Sequence, residues 1–126
     1  MAYPKIHAQK QDRLPGLERE LQPPAEFIRD SYKGSGKLAG KVALVSGGDS
    51  GIGRAAAVHF AREGADVAIM YLDEHQDAED AKRMIEAEGQ RCLLLPGDIR
   101  DSSHCNDAVE QTVKTFGQLD VLVNNA

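Results

Sequence analysis

The 126 residues amount to the length of one domain, with 41% apolar residues and 20 Asp plus Glu against 15 Lys plus Arg, a net charge of -5. That balance, with no basic run, argues against a nucleic-acid partner or an anionic membrane surface, and no apolar stretch approaches the roughly 18 residues of a membrane span. Met1-Ala-Tyr-Pro-Lys5 leads into polar sequence rather than a signal peptide, so a cytoplasmic location is expected.

Residues 1–40 differ in character from residues 41–126. Prolines 4, 15, 23 and 24 and glycines 34, 36 and 40 interrupt regular structure, leaving room for a short helix around Ala25 to Tyr32 with Pro24 in its first turn. Tyr3, Ile6, Leu14, Leu17, Leu21, Phe27, Ile28 and Tyr32 are more apolar than a free tail requires. The segment reads either as a tail or as an arm laid over its own domain or a neighbouring subunit. Residues 41–126 read as the domain.

Lys41 to Val45 is a covered strand, followed by the glycine turn Ser46-Gly-Gly-Asp-Ser-Gly-Ile-Gly53 and a helix over Ile52 to Glu63 stopped by Gly64. Ala55, Ala56, Ala57, Val58 and Phe60 are assigned to the side facing the sheet. Asp66 to Tyr71 is a second strand. The acidic run from Asp73 to Asp80 leads a helix that ends near Glu88-Gly89, with Ala78, Ala81, Met84 and Ile85 inside and the acidic run solvated at the helix start. Arg91 to Leu95 is a third strand. Asp101 caps an amphipathic helix whose stripe is Cys105, Ala108, Val109, Thr112, Val113 and Phe116; Gly117 ends it, and Leu119 to Val123 is a fourth strand.

Strands alternating with helices through short connections imply parallel β-α-β units with right-handed crossovers, strand order 3-2-1-4, and a ligand crevice beyond the carboxyl ends of the strands. A glycine trio between a strand and a helix removes side chains where a backbone must turn tightly and approach a ligand, and the helix start offers free N–H groups to phosphate. The turn lacks the Gly-Lys-Ser/Thr ending of a P-loop. Ser50 can donate a hydroxyl hydrogen bond, and Arg54 can reach phosphate. At the end of strand 2, Tyr71 and Leu72 face the adenosine end, with Asp73 and Glu74 beside them. These acids tilt the choice between NAD and NADP slightly toward NAD. Asp98 either accepts from an adenine amino group or fixes its own loop, with Ile99 against the ring. Asn124 binds sheet and cofactor or caps a loop.

Four histidines, His7, His59, His75 and His104, show no ligand spacing and read as surface, helix-side or cap-adjacent residues; no metal site is expected. Cys92 and Cys105 form no CxxC pair and read as reduced thiols near the core.

Taken together, Ser46-Gly-Gly-Asp-Ser-Gly-Ile-Gly53, Asp98 and Asn124-Asn125-Ala126 resemble the short-chain dehydrogenase/reductase family over residues 38–126. Ser46 stands where that family usually has Thr, and the chain ends before the glycine that usually follows Asn-Asn-Ala. The arm together with Leu38 to Gly53 is similar to N-terminally extended bacterial members related to NADP-dependent aldehyde reductases. The resemblance implies an α/β Rossmann-type fold with helices on both faces of a parallel sheet, here its N-terminal half, truncated after strand 4. It implies NAD or NADP as cofactor, with Gly47, Asp49, Ser50, Gly51, Ile52, Gly53, Tyr71, Leu72, Asp98, Ile99, Asn124 and Ala126 as the binding set. It also implies an oxidoreductase passing hydride between a nicotinamide cofactor and a carbonyl or alcohol substrate, in a homo-oligomeric parent, dimer or tetramer. The alternative is a non-catalytic dinucleotide-binding or sensor protein of the same fold. The family's catalytic Ser, Tyr and Lys are expected beyond residue 126; Tyr71 has no Lys four residues on, no catalytic residue is assigned, and the 126 residues alone are expected to be an inactive fragment.

Overall fold

A computed structural model describes residues 26–126. The elements run β1 (Val42–Ser46), α1 (Gly51–Arg62), β2 (Asp66–Tyr71), α2 (His75–Ala87), β3 (Cys92–Pro96), α3 (Ser102–Phe116) and β4 (Val121–Asn124). All pairings are parallel, in the order β3-β2-β1-β4. This is the Rossmann-type order expected from the alternating pattern: right-handed crossovers place β2 beside β1 and β3 beside β2, and the order reverses at β1, where β4 joins its other edge.

Val45 pairs with both Ile69 and Val123, so β1 is covered on both edges as well as both faces, and all its residues are buried. Alternate side chains serve opposite layers. Val45, Val67, Ile69 and Tyr71 meet Ala57, Val58 and Ala61 of α1 and Ala78, Ala81 and Ile85 of α2. Leu44, Ala68, Met70 and Leu95 meet Ala108 of α3 on the other face. The inner side of α1 is therefore Gly53, Arg54, Ala57, Val58 and Ala61, spaced by three and four, while Ala55 and Ala56 stand half-buried rather than fully inside. The α3 stripe is covered only in part. Ala108 and Thr112 are buried, but Val109 and Val113 are exposed, as is Leu122 of β4.

The caps follow local chemistry. The Asp101 side chain accepts from the Ser103 N–H, and Gly117 closes α3 in the left-handed region at φ 88°. β4 begins two residues later than the sequence suggests. Asp120 is occupied before the ladder starts: its carboxylate accepts from the Val42 N–H at 2.9 Å and its own N–H donates to the Val42 carbonyl.

The helix expected around Ala25 to Tyr32 is not present among the described residues; 26–32 form an irregular stretch with one turn, closed by the Tyr32 N–H on the Arg29 carbonyl. A helix this short is not self-sustaining, and its carbonyls find a better donor. The Arg62 guanidinium of α1 takes the carbonyls of Arg29 and Tyr32 at 2.8 and 3.1 Å. Ile28 packs against the α1–α2 core. The buried Glu63 carboxylate accepts from the Tyr32 hydroxyl and the N–H groups of Ser35 and Lys37. Arg62 and Glu63 together pin the segment 26–40 along α1.

Candidate functional site

At the carboxyl ends of the strands lies a cleft of about 730 Å³. Its floor is the glycine turn after β1, and its walls are the ends of β2 and β3 and the residues after β4. Gly47 (φ 68°) and Gly51 (φ 58°) take the left-handed backbone that the turn needs. No atom lies within 4 Å of where a Gly51 side chain would begin, so the space beside the turn is open to a ligand's close approach. Ser50 caps α1 by position, yet its hydroxyl makes no bond to the helix.

Gly47, Asp49, Ser50, Gly51, Ile52, Tyr71, Leu72, Asp98, Ile99 and Ala126 all line this cleft. Gly53 and Asn124 are not among the residues that line it. A Cβ on Gly53 would stand 2.2 Å from the Gly47 carbonyl oxygen, so Gly53 lets the helix close against the turn rather than face the ligand. Asn124 is the last paired residue of β4, opposite Ser46, and the next residue turns inward in its place. Asn125 lines the cleft and its side-chain amide donates to the Gly47 carbonyl at 3.4 Å. Strand alternation read one residue further along would have found it.

Three exposed apolar side chains mark the rim: Ile52 at 81%, Leu72 at 56% and Ile99 at 42%. Gathered around one cleft, they offer apolar surface that a bound ligand can cover. The charged lining is mostly acidic. Burial pushes the Asp49 carboxyl above its usual range, with Asp77 and Glu74 adding repulsion. Asp98 is held down to about 2 by the Arg100 side chain, with the Arg100 N–H adding to it. The Arg100 Nη2 donates to Asp98 at 2.6 Å. Asp98 thus braces its own loop while lining the cleft. Tyr71 is raised by burial, and its hydroxyl meets His75 Nδ1 at 2.8 Å.

Two charged residues behave differently from their sequence reading. Arg54 does not reach toward phosphate: its Nε donates to the Asp49 carbonyl and its Nη2 to the Asp77 carbonyl. Asp77 is buried rather than solvated, with its carboxylate 3.9 Å from Arg54. Its place four residues before Ala81, on the inner stripe of α2, was the available signal.

His104 lies in the first turn of α3, beside the Asp101 cap, and is half-buried. Its ring fills the space beside Gly97, and its Nε2 is buried with no hydrogen-bond partner. His59 and His75 are occupied by the Ala55 carbonyl and Tyr71, while His7 lies outside the described residues. Among the described residues no three His, Cys, Asp or Glu side chains are grouped to hold a metal, and no helix is long and apolar enough to cross a membrane. Cys92 and Cys105 are free, and burial pushes the Cys92 thiol up to about 12.

Residues 41–126, which carry the glycine turn and the four strands, match the family model for short chain dehydrogenase. The chain belongs to the short-chain dehydrogenase family. It is 60% identical over 118 residues to the uncharacterized oxidoreductase YhdF of Bacillus subtilis, covering 94% of this chain and 41% of that protein. A short chain dehydrogenase from Burkholderia cenocepacia in complex with NADP shares the fold with a TM-score of 0.67 and 43% identity, over 71% of this chain and 37% of the other. Carveol dehydrogenase from Mycobacterium avium in complex with NAD gives 0.68 and 31%, over 73% and 37%. This short-chain dehydrogenase sequence therefore spans about two fifths of the length of its relatives.

Proposed function

We propose that this chain supplies the dinucleotide-binding part of an NAD- or NADP-dependent oxidoreductase acting on a carbonyl or alcohol substrate. The observation that carries the reading is the meeting of the glycine turn, Tyr71-Leu72, Asp98-Ile99 and Asn125-Ala126 in one cleft at the carboxyl ends of four parallel strands. Residues 41–126 are the binding domain, and 26–40 are the described part of an arm that braces it.

The residues fit such a ligand. Backbone N–H groups from the turn into α1 would meet the pyrophosphate, aided by the positive end of the helix dipole. The Ser50 hydroxyl is free of any cap bond and would add a donor. Leu72 and Ile99, both exposed, would offer apolar surface to the adenine, and Tyr71, which ends β2, would stand beside its ribose. Bound nicotinamide would supply the hydride; the residues of this chain bind and orient it. The acidic lining favours NAD, because each nearby carboxylate opposes a 2′-phosphate.

Titration of the folded protein with NADH and with NADPH, following nicotinamide fluorescence, tests the reading. A saturable response to either is expected; a folded protein silent toward both overturns it. In the full-length protein, oxidation of the bound cofactor by aldehydes or ketones separates an enzyme from a sensor, which would bind without turnover. Sedimentation of that protein tests the expected dimer or tetramer.

A further inference from the structure

Arg54 stands in the first turn of α1, where a cation opposes the positive end of the helix dipole, and yet it is buried. It is held there by what it joins. Its Nε donates to the Asp49 carbonyl at 2.7 Å and its Nη2 to the Asp77 carbonyl at 2.8 Å, so one side chain ties the glycine turn to α2. The ring of Phe27 lies over the guanidinium, 4.6 Å from its carbon to the ring centroid.

Resting on the reading of the cleft as a dinucleotide site, we infer that Phe27 is a positioning residue for the glycine turn, acting through Arg54. The turn is tied at Gly47, whose N–H donates to the Met70 carbonyl, but the Ser50 side chain adds no cap bond at its Asp49–Ser50 end. A peptide unit is planar and trans, so the bond from Arg54 to the Asp49 carbonyl also sets where the Ser50 N–H points, on the opposite side of that unit. Ser50 lines the cleft. Water reaching Arg54 would compete for the guanidinium. Phe27 keeps water away and attracts the cation through the face of its ring.

Phe27 does not depend on the turn for its own place. The arm is held from the far end of α1, where Glu63 accepts from Tyr32, Ser35 and Lys37 and Arg62 takes the Arg29 carbonyl, while Ile28 packs on the core. The coupling therefore runs from the pinned arm through Phe27 and Arg54 into the peptide that faces the ligand.

The test titrates NADH and NADPH into the wild-type protein, Phe27→Leu, Phe27→Ala, Phe27→Trp, Arg54→Gln and the Phe27→Leu/Arg54→Gln double variant, each held well below its own unfolding temperature. Phe27→Leu keeps apolar cover but has no ring face, and it is expected to weaken dinucleotide binding about tenfold, with Phe27→Trp restoring it. Arg54→Gln weakens binding too, and Phe27→Leu adds nothing in that background, as expected for two residues acting as one unit. Wild-type affinity in Phe27→Leu, or losses that simply add in the double variant, overturn the relay. Failure of both Phe27→Ala and Phe27→Leu to fold assigns Phe27 to stability alone and also overturns it. A folded wild-type protein that binds neither dinucleotide overturns the reading of the cleft itself, a result distinct from a wild type and Phe27→Leu that bind equally well.

Discussion

The Ser46 hydroxyl ties the end of β1 to the chain leaving β4, accepting from the Asn125 N–H at 3.0 Å. The same oxygen accepts from the Ala126 N–H at 3.3 Å and donates to the Val123 carbonyl at 3.2 Å. One buried side chain thus sets the distance between the glycine turn and the opposite wall of the cleft. Ser46→Ala leaves these backbone groups short of a partner and is expected to cost about 1–3 kcal/mol in urea denaturation. Ser46→Thr retains the hydroxyl and should stay closer to wild type. An alanine variant as stable as the parent would show that the link is dispensable.

The glycines of the turn separate packing from ligand access. A Cβ at Gly53 meets the Gly47 carbonyl oxygen and the Asn125 amide, both closer than any real contact allows. Gly53→Ala should destabilise the fold by roughly 1–3 kcal/mol, as overpacking does. A Cβ at Gly51 meets nothing but carries the strain of φ 58° and projects into open space. Gly51→Ala is expected to fold, with a smaller stability loss of about 1 kcal/mol, and to lose most of its dinucleotide binding. Thermal melts paired with NADH and NADPH titrations distinguish the two, and equal binding by Gly51→Ala and wild type would remove the turn from the site.

Glu63 should make the stability of the protein sensitive to acid. The Tyr32 hydroxyl, followed by the Ser35 and Lys37 N–H groups, lowers its carboxyl from an ordinary 4.5 to about 2. A carboxylate depressed in the folded state contributes stability that is complete above its unfolded value and is lost as pH falls through the folded one. The loss falls between pH 4.5 and about 2. Glu63→Gln should be less stable at neutral pH and should flatten that part of the profile, which chemical denaturation at a series of pH values measures. An unchanged acid slope would count against the arm being anchored here.

Asp49 bears on the choice between cofactors. It is a buried carboxyl in the turn, near Asp77 and Glu74, and it lines the cleft. Removing its charge in Asp49→Asn should improve NADPH binding relative to NADH by a factor of about 3–10. The ratio of the two dissociation constants is the measurement, and a ratio that stays put or moves toward NADH would place the 2′-position away from Asp49.

Much of the fold was legible because local rules and tertiary packing agree. Covered runs such as Val42–Val45, stop signals at Gly64 and Gly117 and the Asp101 cap each specify an element within a few residues, and Asp66–Tyr71 matches its expected bounds. The cleft was legible for the same reason, since a parallel sheet whose order reverses at β1 brings the loops after β1 to β4 to one end. Disagreement appears where two readings of one residue compete. Arg54 is a cation beside a phosphate turn, but carbonyls at Asp49 and Asp77 claim it. Asp77 sits in an acidic run, but the inner face of α2 takes it.

The sequence by itself determined the order and kind of the elements, the position of the turn and the family, because strand and helix periods, glycine punctuation and short crossovers act over a few residues at a time. Only the tertiary structure decided which side chains face the cleft, since a shift of one residue between Asn124 and Asn125 reverses direction at a strand end. It alone decided the course of residues 26–40. There the partners that replace a local helix, the Arg62 donor and the Glu63 acceptor, come from the far end of α1, and no rule confined to neighbouring residues can find them.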